Sequence, residues 1–192
     1  DGGRFHDATR AAGVTDYSYS LGLAAAQLDD DDRPDLYVAN DFDVSDAMYT
    51  NVGDGTFREV SKERTRHMSN FGMGCDVADY NNDGLMDIVV LDMLPEDNKR
   101  QKLLRGPDEY DKYNLLVDSG YFHQNMRNTL QLNQGIGENN TPAFSEIGQL
   151  ANISNTDWSW APLIADFDND GRPDLMTVTG NVRRPSLDRI VS

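Results

Sequence analysis

Three short acidic segments recur in a fixed frame along this 192-residue chain, each beginning 22 residues beyond a phenylalanine. Phe5 leads to Gln27, Phe57 to Asp79 and Phe144 to Asp166, and the segments read Q-L-D-D-D-D-R-P-D, D-Y-N-N-D-G-L-M-D and D-F-D-N-D-G-R-P-D. A unit repeated at this scale cannot bury its own apolar surface and must stack on its neighbours. The repeat therefore selects a modular architecture before any other feature is considered.

The segments place oxygen-bearing side chains at alternate positions. In the second loop Asp79, Asn81, Asp83 and Asp87 stand at positions 1, 3, 5 and 9, and Gly84 permits the turn that would aim the Leu85 carbonyl inward. The third loop repeats the set with Asp166, Asp168, Asp170, the Arg172 carbonyl and Asp174 around Gly171. A donor set of hard oxygens without sulfur or imidazole suits Ca2+, which takes six to eight such ligands, and argues against zinc or copper. The first loop is a degraded copy: Gln27 is neutral and Asp32 replaces the glycine, while Asp29, Asp31, the Arg33 carbonyl and Asp35 remain. Two full calcium sites and a third, weaker one are expected.

An EF-hand begins in the same way but needs a bidentate Glu at position 12. That position holds Val38, Val90 and Thr177, inside runs rich in β-branched residues that read as strands. Strands are expected at Arg4–Ala8, Gly22–Ala26, Asp35–Ala39 and Ala47–Asn51 in the first repeat. The second repeat gives Thr56–Val60, Gly74–Ala78, Asp87–Leu91 and Thr129–Asn133, and the third Ala143–Ile147, Ala161–Ala165 and Asp174–Val178. Strands beside the loops are apolar on both faces, as in a sheet held between two others. Small residues lead each strand before a loop (Ser20 and Gly22, Gly72 and Gly74, Ser159 and Ala161), so that neighbouring sheets approach closely. The fold class is all-β: about three four-stranded β-propeller blades, part of a larger propeller, with a short helical insertion.

The loop pattern followed by D-[LI]-x-V resembles the FG-GAP repeat, also called the VCBS repeat, of integrin α-subunit propellers and bacterial surface proteins. The segments R-N-T-L-Q-L-N-Q-G (127–135) and D-W-S-W-A-P-L-I-A-D-F-D-N-D-G (157–171) are similar to bacterial members associated with an ASPIC/UnbV module. The resemblance covers residues 3–180 apart from one insertion. It implies calcium held structurally within blades and ligand binding on the opposite face.

Residues 1–192 divide into a first repeat at about 3–53, a second at about 54–135 and a third at about 136–192. The phenylalanines are spaced 52 and then 87 residues apart, so the second repeat carries 35 extra residues, 30 of them between Asp87 and Asn133. The excursion at about 93–127 holds a basic cluster (Lys99, Arg100, Lys102, Arg105) and reads as two short helices divided at Gly106-Pro107.

The formal charge of −16 is concentrated in the loops, which hold 12 of the 33 acidic residues, and three bound calcium ions would bring it to about −10. Such acidity argues against a nucleic-acid partner, and no apolar run is long enough to span a membrane. The opening Gly3-Arg4-Phe5 matches Gly55-Thr56-Phe57, which reads as a segment of a longer protein whose remaining blades are partners of this one. The single cysteine, Cys75, reads as a small buried residue. Absence of disulfides together with calcium loops suggests a bacterial extracytoplasmic setting: periplasm, cell surface or secretion. Trp158 and Trp160 are expected to pack between blades. His6, His67 and His123 share no ligand spacing, and Asn139 and Asn152 head N-x-[ST] sequons. The functional expectation is a non-enzymatic binding or adhesion module presenting a rigid surface to a protein or glycan. The alternative is the scaffold of a carbohydrate-active enzyme recruiting Glu96, Glu109 or Asp111 from the excursion.

Overall fold

The computed structural model describes residues 3–15, 17–105, 110–137, 142–180 and 189–191. A short helix α1 (Thr9–Ala12) leads to a four-stranded antiparallel sheet in the order β1 (Tyr19–Ala26), β2 (Asp35–Asp41), β3 (Ala47–Asn51), β4 (Phe57–Glu59). Helix α2 (Ser61–Arg64) and strand β5 (Met68–Ser69) connect it to the second sheet. There β6 (Gly74–Ala78) pairs with β7 (Asp87–Leu91). Helices α3 (Asn98–Arg105) and α4 (Tyr110–Asp118) and strand β8 (Gln124–Asn125) then intervene before β9 (Thr129–Ile136) and β10 (Pro142–Glu146) complete the sheet. The third sheet comprises β11 (Ser159–Ala165), β12 (Asp174–Thr179) and β13 (Arg189–Val191), and β5 pairs with β8 in parallel. The chain is thus an all-β repeat fold with one helical excursion.

Each acidic loop joins the first two strands of its sheet, so the loop residues are the turn of a hairpin. The hairpins are stacked in step. Strand β6 packs against both β1 and β11. A Cβ on Gly22 would lie 2.8 Å from the Cys75 nitrogen, and one on Gly74 would lie 2.4 Å from the Trp160 carbonyl. Only glycine allows backbones this close, which explains the small residues ahead of each loop.

The core lies on both sides of the second sheet. Ile88 and Val90 join Leu28, Tyr37, Ala39, Met48, Val60 and Phe144 between sheets one and two. Val89 and Leu91, on the opposite face of β7, join Leu130, Ile153, Ile164 and Leu175 between sheets two and three. Full burial of such a side chain contributes roughly 1.5–3 kcal/mol, so β7 is the central stabilising strand.

Three expectations are corrected. Residues Arg4–Ala8 form no strand, and Phe5 is fully exposed. The phenylalanine strand is the outermost strand of the preceding sheet: β4 pairs with β3, and β10 with β9. Residues 4–8 have no preceding sheet among the described residues, and a strand without a partner has no ladder to hold it. Secondly, burial on both faces holds for β7 alone of the paired strands beside the loops. Leu21 and Leu23 on β1, Leu163 on β11 and Val178 on β12 are exposed. Thirdly, Trp158 and Trp160 are 40% and 46% exposed and do not pack between sheets among the described residues. A register shift between Ser159 and Ala161 breaks the alternation on which that expectation relied.

Helices α3 and α4 occupy the excursion as expected. Gly106-Pro107, Glu109 and the sequon at Asn139 lie outside the described residues.

Candidate metal loops and the opposite face

The third loop gathers its carboxylates. Oxygens of Asp166, Asp168 and Asp174 all lie within 4.8 Å of one another. Calcium–oxygen distances of 2.3–2.6 Å place opposite ligands about 5 Å apart, so this spacing fits one coordination sphere. The turn is held by its own amides. Asp166 accepts the Asp170 N–H at 3.1 Å on one oxygen and the Gly171 N–H at 2.9 Å on the other. Asp170 accepts the Arg172 N–H at 2.8 Å.

The second loop reproduces this brace residue for residue. Asp79 accepts the N–H groups of Asp83 at 3.0 Å and Gly84 at 2.8 Å, and Asp83 accepts that of Leu85 at 2.8 Å. Gly84 and Gly171 adopt φ of 88° and 87°, the left-handed turn expected at position 6. Asn81 donates to Asp83 at 2.8 Å. At position 3 the second loop has the amide of Asn81 where the third has the carboxylate of Asp168, and the Asn81 oxygen accepts the Asp83 N–H at 3.2 Å.

The position-9 carboxylates have a second role. Asp87 is fully buried; one oxygen accepts the Tyr80 N–H at 3.0 Å and the other the Asn133 N–H at 2.8 Å. Asp35 does the same with Leu28 at 3.1 Å and Asn51 at 2.8 Å. Each therefore clasps its loop to the third strand of the sheet. Burial pushes the Asp87 carboxyl up to about 6 despite these donors, with Asp83 and Asp79 adding repulsion. A bound divalent cation would offset that cost. Oxygen-only donors, a preformed turn and unneutralised buried charge together fit calcium in the second and third loops.

The first loop is built differently. Asp29 accepts from the Arg64 guanidinium at 3.0 Å, and Asp31 is paired with the Arg33 side chain, whose Nε also donates to the Asn51 carbonyl at 2.9 Å. Asp32 takes the left-handed turn with φ of 61°, so the missing glycine is tolerated there.

Residues with no place in the sequence reading complete the loop face. Asn82 and Asn169, at position 4, are also left-handed, with φ of 58° and 59°. Asn82 donates to the Gly171 carbonyl at 2.9 Å, tying the second loop to the third. Asn133 donates to the carbonyls of Leu28 at 3.3 Å and Met86 at 3.2 Å, tying the first to the second. Asparagine at position 4, where the first loop has Asp30, was the available signal. All three loops therefore sit at one end of the stack.

The other end carries aromatic rings and buried acids. Tyr19, Phe42 and Phe71 form an edge-to-face ladder with centroids 5.3 and 6.1 Å apart. Tyr19 is 69% and Phe42 52% exposed, and Phe42 is held at φ of 65°. Beneath them Asp92 accepts from Ser69 at 2.6 Å and from the amides of Asn70, Phe71 and Arg127. Asp46 accepts from the Tyr37 hydroxyl and the Asn40 N–H, both at 2.8 Å. The excursion is anchored at this end, with Lys112 3.3 Å from Asp43 and Arg100 paired with Asp157. Arg100 is thus withdrawn from the basic cluster, leaving Lys99 and Lys102 exposed. His67 lies 3.0 Å from Glu146, to which Arg127 also pairs at 3.3 Å; His6 and His123 stand elsewhere.

A family model described as FG-GAP-like repeat matches residues 27–90 and 118–177. The first span runs from the head of the first loop through β7, and the second from the end of α4 into β12. No curated protein gives a match.

Proposed function

The chain belongs to the FG-GAP-like repeat family, and from that premise we propose that it is a calcium-braced β-propeller segment acting as a binding or adhesion module. Calcium in the second and third loops fixes each hairpin turn and, through Asn82, the angle between blades. The rigid blades then present the opposite end to a protein or glycan ligand. One observation carries this reading: the exposed rings of Tyr19 and Phe42, laddered onto the half-buried Phe71 and with Trp158 also half-exposed, at the end away from the loops. An exposed aromatic held in a left-handed backbone conformation costs about 1–2 kcal/mol, which an inert surface has no need to sustain.

The exposed apolar faces of the first and third sheets (Leu21 and Leu23; Leu163 and Val178) support further blades as neighbours. Among the described residues no helix is long and apolar enough to cross a membrane. In this reading the protein is extracytoplasmic and bacterial, where calcium is plentiful, and it does not itself catalyse a reaction.

A glycan panel scored for both binding and turnover tests the proposal. Expected is binding without product that weakens about tenfold in Phe42→Ala at unchanged thermal stability, the order that loss of an aromatic stacking contact gives. Turnover of a bound glycan would replace the module with an enzyme. Binding indifferent to Phe42 would move the ligand surface elsewhere.

A further inference from the structure

The three loops differ in what stands beside them. Counting seven residues from each repeat's phenylalanine gives Ala12, Arg64 and Ala151. Because the phenylalanine strand belongs to the preceding sheet, Arg64 serves the first loop and Ala151 serves the second. Ala151, like Ala78 and Tyr80 beside the second loop, packs against the apolar cluster around Val89, Leu91 and Leu130 and brings no charge to that loop. Arg64, the last residue of α2, instead sends its guanidinium to Asp29 at 3.0 Å, and both side chains are nearly buried, 4% and 11% exposed. Its Nε and Nη1 and the second oxygen of Asp29 are buried with no other partner among the described residues. A buried guanidinium with idle donors, aimed at a loop of carboxylates, is a resident cation.

The other ligand positions agree. Asp31 is paired with Arg33, whereas in the third loop Arg172 swings outward, 84% exposed and 4.0 Å from Asp170. Position 1 is the neutral Gln27, so the residue that braces the amides of the other two loops is missing as an anion. Asp30 lacks the positive φ that Asn82 and Asn169 share.

We infer that the first loop takes its positive charge from Arg64 and holds no calcium. One blade is thereby braced independently of the metal while its neighbours depend on it. The contrast rests on the calcium reading of the second and third loops, but the Arg64–Asp29 pairing does not.

Calcium titration calorimetry on the chain tests the first half. Two ions are expected in the parent and still two after Gln27→Asp with Asp32→Gly; adding Arg64→Ala to that pair of changes opens a third site. Three ions in the parent, or a third site while Arg64 remains, would overturn the inference. A thermal double-mutant cycle in chelator with Arg64→Met and Asp29→Asn tests the second half, with Arg64→Lys as the milder variant if Arg64→Met does not fold. Each single change is expected to lower Tm by on the order of 10 °C, and the double change by no more than one of them. Additive losses would overturn the pairing. No calcium bound anywhere with a strong coupling intact would sink the calcium reading and uphold the pairing.

Discussion

Asp46 is fully buried between the first two sheets, and its two hydrogen bonds do not offset the loss of water. Burial raises its carboxyl from the ordinary 3.8 to about 7, with the charge of Asp92 adding to the shift and the donors Asn40 and Tyr37 opposing it. The folded state therefore retains a proton that the unfolded chain releases between those two values. Below pH 4 both states are protonated and the group is neutral in its effect; as pH rises towards 7 stability is lost, and above 7 the loss is complete. The full span corresponds to roughly 4 kcal/mol, of which about 3 falls between pH 5 and pH 8. Asp46→Asn keeps the shape and removes the titration. Its amide oxygen still accepts from Asn40, and its NH2 donates to the Tyr37 oxygen. Urea unfolding of both proteins at saturating calcium, at pH 5 and pH 8, isolates this one group because every other carboxylate is common to the pair. The variant should gain about 3 kcal/mol on the parent between the two pH values. A stability difference that is the same at both would show that Asp46 is not a buried, uncompensated acid.

Two further outcomes are expected. Gly74→Ala would drive a methyl to 2.4 Å from the Trp160 carbonyl, a backbone atom that has nowhere to retreat, and should cost roughly 3 kcal/mol, on the order of 10 °C in Tm; an unchanged melting curve would mean that the second and third sheets are not in such close contact. Cys75, whose thiol burial pushes up to about 12, should resist a chromogenic disulfide reagent at pH 8 until the protein is unfolded by urea; prompt reaction of the native protein would contradict its position on β6.

The loops and their hairpins were legible because both ends of the signal are local. Alternating oxygens fix a turn, the flanking β-branched runs fix the strands, and Ala47–Asn51, Gly74–Ala78 and Asp87–Leu91 have the expected bounds. What pairs with what was less legible. The phenylalanine opens the sequence repeat yet closes the preceding sheet, since strand partnership depends on where the chain travels and leaves no mark on the strand itself. The bulge at Trp160 likewise depends on contact with Gly180, where an added Cβ would meet the indole at 2.1 Å. The roles of Asp46 and Asp92 were hidden because an acid shows no sign of burial until the groups that donate to it, Tyr37 for Asp46 and Ser69, Phe71 and Arg127 for Asp92, fold over it. Arg64 sits one repeat away from the carboxylate it serves, so only the assembled sheet connects them.

The proposed calcium ions of the second and third loops are what would hold the exposed aromatic surface rigid, and thermal unfolding at graded free calcium tests them most directly. At a hundred times the dissociation constant each site adds about 2.7 kcal/mol. Two sites should thus raise Tm by on the order of 10 °C over the same protein in chelator, and the rise should be roughly halved in Asp166→Ala. Superimposable melting curves with and without calcium would contradict it.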